Sequence, residues 1–259
     1  MTYTTLTLAT ADRVATLTLN RPDVRNAVSY IMIDELAHAL DEVRSSAAQV
    51  LIITGAGKAF CAGMDLENLK GLLGRTPEQS RDDSRKMANL FRGIYDFPLP
   101  TIAAVNGAAI AGGTGIATIC DFTLAVPEAK FGYTEVKIGF MPAIVSTFLM
   151  RQVGEKIARD LLLTGRLFDA AEAQRIGLVH EIVAGDRLLE RANELARTLL
   201  ENSPASLRGT KQLLSRSVNE ELDRQIESAI EENARVRQGH DFREGITAFL
   251  EKRKPRWES

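Results

Sequence analysis

The sequence predicts an α/β core followed by an all-helical tail. Three observations predict it. Short apolar strands alternate with helical stretches through the first two thirds, small-residue turns stand where those strands end, and beyond about residue 186 only amphipathic helical periodicity remains. The expected division is residues 1–185 for the strand and helix units and 186–259 for the helical region.

Taken in order, Thr4 to Leu8 and Arg13 to Leu19 alternate apolar with polar residues and predict an opening hairpin. From Val28 to Arg44 the spacing of Met32, Ile33, Leu36, Leu40 and Val43 predicts a helix with one apolar face. VLIIT at 50–54 reads as a strand buried on both faces, and Thr101 to Val105 and Phe122 to Val126 repeat that pattern. Asn68 to Ser84, rich in Gly, Pro and charge with little periodicity, reads as a mobile connection, either a lid or an ordinary solvated loop. Phe97 to Cys120 carries no charged side chain, yet its Pro and Gly residues fit a strand, turn and helix buried in protein better than a membrane span. In the tail, helices are expected over about 186–202, 204–217, 219–236 and 241–252, with Ser203 capping and Pro204 in the first turn of the second. The stripes Leu189, Ala192, Leu195, Leu199 and Leu222, Ile226, Ile230 must pack on the chain's own core or on another subunit.

Composition excludes several functions. A net charge of −2, with 32 basic and 34 acidic residues intermixed, offers no electrostatic footprint for nucleic acid or an anionic membrane. The opening residues read as strands rather than an export signal, so the expected location is the cytoplasm. Cys61 and Cys120 sit in apolar runs without ligand spacing and are expected as buried thiols. His38, His180 and His240 have no nucleophile or ligand pattern around them.

Two segments carry small residues where packing alone would accept larger ones. In KAFCAGMDL (58–66) a strand ends at Ala62-Gly63, and the N–H of Met64 can point into a cavity. In VNGAAIAGGTG (105–115) a strand turns into a helix at Gly112-Gly113, whose free N–H groups favour developing negative charge. Two such donors are the components of an oxyanion hole. Spacing alone fits two close-packed turns equally well.

Four segments, NRPDVRNAV (20–28), KAFCAGMDL (58–66), NGAAIAGGTGIATICDFTLA (106–125) and FGYTEVKIGFMP (131–142), resemble the crotonase, or enoyl-CoA hydratase/isomerase, superfamily in order and spacing. The resemblance implies a spiral of ββα units with a C-terminal helical trimerisation region, assembled as a homotrimer or a dimer of trimers. It implies an acyl-CoA thioester as substrate, with coenzyme A entering only as part of that substrate and no metal or redox cofactor. The family's oxyanion donors fall on the N–H groups of Met64 and Gly112. Coenzyme A would lie along Arg25, Ala27 and the turn containing Ala62, Asp65 and Leu66, although Asp65, like Asp121, also sits where a structural role is expected. Many relatives carry two catalytic glutamates; the first aligns here with Gly115 and the second with Glu135.

One carboxylate suits isomerisation of a 3-enoyl to a 2-enoyl thioester better than two-acid hydration of a 2-enoyl thioester. Hydration of a specialised substrate of branched methylglutaconyl type, decarboxylation of an acyl-CoA, and a non-catalytic CoA-binding scaffold are the alternatives. Met141, with Phe140, Ile144, Leu69, Leu72 and Leu90, supplies candidates for an acyl pocket. Arg81, Arg85 and Lys86 are candidates to meet a second carboxylate on the acyl group, or else form a solvated helix face.

Overall fold

The computed structural model describes residues 2–257. The chain opens with the expected hairpin, β1 (Leu6–Ala11) and β2 (Val14–Leu19), antiparallel with Leu6 opposite Leu19. β1 starts two residues later than the alternation suggests because Thr4 and Thr5 are held elsewhere. Their N–H and hydroxyl groups donate four hydrogen bonds of 2.6–2.8 Å to the Glu35 carboxylate. Burial alone would raise the Glu35 pKa, but these bonds outweigh it and hold the carboxyl below its ordinary range. Glu35 lies on the buried face of α1 (Tyr30–Arg44), whose first turn is capped by Ser29.

Three ββα units follow. In each, one strand enters a six-stranded sheet, the next enters a four-stranded sheet, and helix returns the chain. The first is β3 (Val50–Gly55), β4 (Ala59–Cys61) and helices α2 (Leu66–Gly71) and α3 (Pro77–Tyr95). The second is β5 (Thr101–Val105), β6 (Ala108–Ile110) and α4 (Gly112–Ile119). The third is β7 (Phe122–Ala125), β8 (Lys130–Gly132) and α5 (Ala143–Thr164), broken at Gly154. β9 (Phe168–Asp169), α6 (Ala170–Arg175) and β10 (Glu181–Ile182) complete the core.

The large sheet runs β1-β2-β3-β5-β7-β10 and is parallel from β2 onward; the small one runs β4-β6-β8-β9. β3 and β5 are buried along almost their whole length, which is why both read as unbroken apolar runs. α4 bridges the sheets, packing on β4 and β6 and on β5 and β7.

The connection expected over 68–84 is instead mostly helical. α2 and a single 3-10 turn (Leu72–Gly74) run into α3, which opens with a capping box between Thr76 and Gln79 and with Pro77 in its first turn. Leu69 and Leu72 are buried against Phe242 and Ile246, residues far away in sequence, so local periodicity could not report this order.

The tail forms α7 (Leu188–Leu200), α8 (Pro204–Arg216), α9 (Asn219–Val236) and α10 (His240–Leu250). α7 packs on β3, β5 and β7, and α9 on α3 and α5, so Leu222, Ile226 and Ile230 join the chain's main core. Leu189 on α7 and Leu213 and Leu214 on α8 stay exposed. Both cysteines are free and buried, and burial pushes the Cys61 thiol up to about 11. Among the described residues no helix is long and apolar enough to cross a membrane.

Candidate active site

The site grows from the C-terminal ends of three neighbouring parallel strands. In the small sheet Cys61 of β4 pairs with Ala109 of β6, and Ile110 of β6 pairs with Gly132 of β8. Met64 follows β4 by three residues, Gly112 follows β6 by two, and Glu135 follows β8 by three. Neighbouring parallel strands therefore deliver all three groups to one edge, and all three line a single cavity of about 270 Å³.

The two turns are brought together by missing side chains. Gly63 has φ of 91°, and a Cβ there would stand 3.2 Å from the Ile110 carbonyl oxygen. A Cβ on Gly113 would stand 2.4 Å from the Cys61 carbonyl oxygen, inside contact distance. The backbone at Met64 is fixed from the other side. Val28 donates to Gly63 O at 2.8 Å and accepts from Asp65 N at 2.9 Å, a parallel bridge that turns the Met64 N–H away from Val28. Neither the Met64 nor the Gly112 N–H has an acceptor among the described residues. Gly112 is the first residue of α4, so its N–H is one of the donors a helix start leaves open. Ala111 N to Gly132 O, at 2.7 Å, and Thr114 Oγ1 to Ala109 O, at 2.6 Å, fasten that start to β8 and β6.

Glu135 begins a 3-10 turn, Glu135–Ile138, that rests on α10. A Cβ on Gly139 would meet the Asp241 carbonyl oxygen at 2.1 Å, and one on Gly245 would meet the Ile138 carbonyl oxygen at 2.3 Å. The residue keeps some exposure, but its Oε2 is buried and has no hydrogen-bond partner. Burial pushes the carboxyl up to about 7, against a small opposing effect of its own backbone N–H. A carboxylate so placed can take and return a proton near neutral pH.

Ala62 and Met141 also line the cavity, as do Phe140, Ile144 and Leu69. Arg25, Ala27, Asp65, Leu66 and Gly115 are not in its wall. Arg25 and Leu66 are exposed beside the Met64 turn, and the Arg25 carbonyl accepts from Ala62 N at 3.0 Å. Ala27 is buried. The Asp65 carboxylate is committed to Arg21 at 2.8 Å and to the Glu67 N–H that starts α2. Gly115 lies just behind the wall: a Cβ there would stand 2.5 Å from the Phe91 ring and 2.8 Å from a Val145 methyl. Apolar side chains thus occupy the direction in which a carboxylate at 115 would extend.

Leu72 and Leu90 are buried away from the cavity, and Arg81, Arg85 and Lys86 form exposed pairs with Glu231, Glu227 and Asp34. Sequence reading passed over Tyr30, Asp83, Asn233 and Arg237, which form a polar section of the wall. Arg237 did leave a signal, since it continues the buried stripe of Leu222, Ile226, Ile230 and Asn233 as a charged residue on an apolar helix face. Among the described residues no group of three His, Cys, Asp or Glu side chains could hold a metal ion.

Two open backbone donors and a carboxylate with an unpartnered oxygen thus line one cavity, an arrangement chemically suited to proton transfer. The comparisons narrow the class. Residues 9–259 match the enoyl-CoA hydratase/isomerase family. A putative enoyl-CoA hydratase of Thermus thermophilus is 46% identical over 245 residues, covering 94% of this chain and 97% of the relative. A probable enoyl-CoA hydratase of Rhizobium meliloti is 37% identical over 264 residues, covering 98% of each. The crystal structure of an enoyl-CoA hydratase/isomerase from Xanthobacter autotrophicus matches all of both chains with a TM-score of 0.90 at 32% identity. The chain belongs to the enoyl-CoA hydratase/isomerase family and has its fold.

Proposed function

We propose that the protein acts on an acyl-CoA thioester, with the Met64 and Gly112 N–H groups holding the thioester oxygen and Glu135 moving the proton. The supporting observation is the delivery of these three groups by β4, β6 and β8 to one cavity. Glu135 as carboxylate takes the C2 proton of a 3-enoyl thioester, and the electrons move onto the carbonyl oxygen as a dienolate. The two N–H groups stabilise that charge, and loss of one such donor typically costs about 100- to 1,000-fold in rate. The protonated Glu135 then delivers the proton to C4, giving the 2-enoyl thioester and restoring the carboxylate.

Isomerisation is placed ahead of hydration because no second carboxylate stands at Gly115, where Phe91 and Val145 fill the space. Hydration of a 2-enoyl thioester is the second reading, favoured by the hydratase names of the relatives. Coenzyme A would run along Arg25 and Leu66, the exposed residues flanking the Met64 turn. Leu213 and Leu214, exposed on α8, suit a subunit contact in a trimer or a dimer of trimers, which light scattering would read as about three or six chains.

NMR of trans-3-hexenoyl-CoA incubated with the protein in D2O tests the reaction. The expected product is the 2-enoyl thioester, with deuterium at C4 to the extent that the Glu135 proton exchanges with D2O before it is returned, and with little 3-hydroxyacyl-CoA. An unchanged 3-enoyl thioester, together with rapid hydration of a 2-enoyl thioester, would overturn isomerisation in favour of hydration.

A further inference from the structure

Among the described residues the cavity wall carries three side chains that are charged in their ordinary state: Glu135, Asp83 and Arg237. Glu135 has a role in the proposed chemistry; the other two do not. Arg237 caps the C-terminal end of α9 and is 6% exposed. Its partners fall short of its five donors. Nε donates to Asn233 Oδ1 at 3.2 Å, Nη1 reaches Ser80 O at 3.4 Å, and the Asp83 carboxylate stands 3.6 Å away, beyond good hydrogen-bond distance. Nη2 has no protein acceptor among the described residues. Asp83 is shared with a second cation, Arg75, at 3.5 Å. The groups acting electrostatically on Arg237 are Asp83, Tyr30 and Arg75, so two guanidinium groups face one carboxylate and the neighbourhood is net positive. Tyr30 adds a buried hydroxyl that lies near the Asp83 carboxylate without a hydrogen bond of good geometry.

Position gives this cluster a meaning. The Arg237 guanidinium lies 5.0 Å from the centre of the Phe140 ring, and Phe140 N donates to the Glu135 carbonyl at 3.0 Å. One aromatic side chain therefore links the proton-transfer turn to the buried cation. Both ends of this link, with Phe140 between them, belong to the same cavity wall. A buried guanidinium with open donors is costly unless an anion completes it.

We propose that Arg237, with the Tyr30 hydroxyl beside it, is a recognition subsite for a carboxylate at the far end of the acyl chain, so that the preferred substrates are CoA monothioesters of dicarboxylic acids. A carboxylate accepts from the guanidinium in a fork and from the hydroxyl together, which a methyl end cannot do. This rests on the acyl-CoA reading of the cavity, and the test separates the two.

Calorimetric titration with adipoyl-CoA and hexanoyl-CoA, unreactive probes of equal chain length, needs no turnover. The expected result is binding of adipoyl-CoA at least about tenfold tighter, with that preference erased in Arg237→Met, partly kept in Arg237→Lys and reduced in Tyr30→Phe. Equal binding of the two thioesters by the unaltered protein, or tighter binding of hexanoyl-CoA, overturns the subsite and leaves the acyl-CoA reading standing. Failure of both to bind overturns the acyl-CoA reading itself. An Arg237→Met protein that binds both thioesters more weakly by the same factor marks Arg237 as a tie between α9 and α3 and overturns the subsite.

Discussion

The two halves of the site are built differently. The half proposed to hold the thioester oxygen consists of backbone groups set by the sheet: β4 and β6 are hydrogen-bonded neighbours, and Cys61, Ile116 and Phe91 around them belong to the main core. The half proposed to move the proton is one side chain on a short 3-10 turn, supported by α10 and by a smaller cluster of Leu69, Leu72, Phe242 and Ile246. On the proposed reading, charge stabilisation shares the stability of the whole domain, whereas the base depends on how the last helix is seated. The first half demands only small residues and tolerates most side-chain chemistry; the second demands one particular residue.

The largest expected effect comes from that residue. Glu135→Gln keeps the shape and removes the base, so turnover should fall by about 100- to 10,000-fold with thioester binding retained. Retention of more than about a tenth of the rate would remove Glu135 from the proton-transfer role.

A pair of glycine variants separates the halves. Gly245→Ala forces a methyl against the Ile138 carbonyl and should shift the Glu135 turn, lowering kcat by about 100-fold while the main core survives. Gly113→Ala presses on the Cys61 carbonyl and thiol instead, so it should lower the melting temperature markedly, with a cost of about 1–3 kcal/mol, as well as activity. Equal melting losses in the two would show that α10 is as integral as the sheet.

The pH profile sharpens the same contrast. Rate should rise through about pH 7 as Glu135 ionises, because burial raises its pKa to that value. Since the folded pKa is raised, protonated Glu135 leaves the fold at its most stable below the ordinary carboxyl value, and that stability is lost as pH rises to about 7. Glu135→Gln escapes the penalty, so urea unfolding should show the variant gaining on the order of 3 kcal/mol between about pH 4.5 and about pH 8, relative to the unaltered protein. Glu35 behaves oppositely: its lowered pKa gives stability present above the ordinary carboxyl value and lost on acidification.

The smallest change in reaction is expected at Gly115. Gly115→Glu alone should give no gain in hydration, because its Cβ already meets Phe91, and a loss of stability by thermal melting at least as large as that of Gly113→Ala, since its carboxyl is buried among apolar side chains. Combining it with Phe91→Ala opens the space, and any gain in hydration should appear only there.

This asymmetry also governs what the sequence disclosed. β3, β5 and β7 were legible because burial on both faces writes itself as a continuous apolar run. Met64, Gly112 and Glu135 were placed by motif resemblance, and the small residues around the first two were visible in their own right. What local pattern could not disclose depends on distant partners. Order over 68–84 comes from Phe242 and Ile246, the start of β1 is set by Glu35, and Phe91 stands in front of Gly115 across the interior. Arg237 was readable only as a charge on an apolar stripe, and its meaning needed α3 and Phe140 in place.

The most direct test is deuterium exchange at C2 of a saturated acyl-CoA, followed by NMR in D2O from about pH 5.5 to about 8.5, which isolates proton abstraction from every later step. The account predicts exchange that rises through about pH 7 and is lost in Glu135→Gln, with the thioester still bound. Exchange that persists in that variant, or that shows no acid limb, would contradict it.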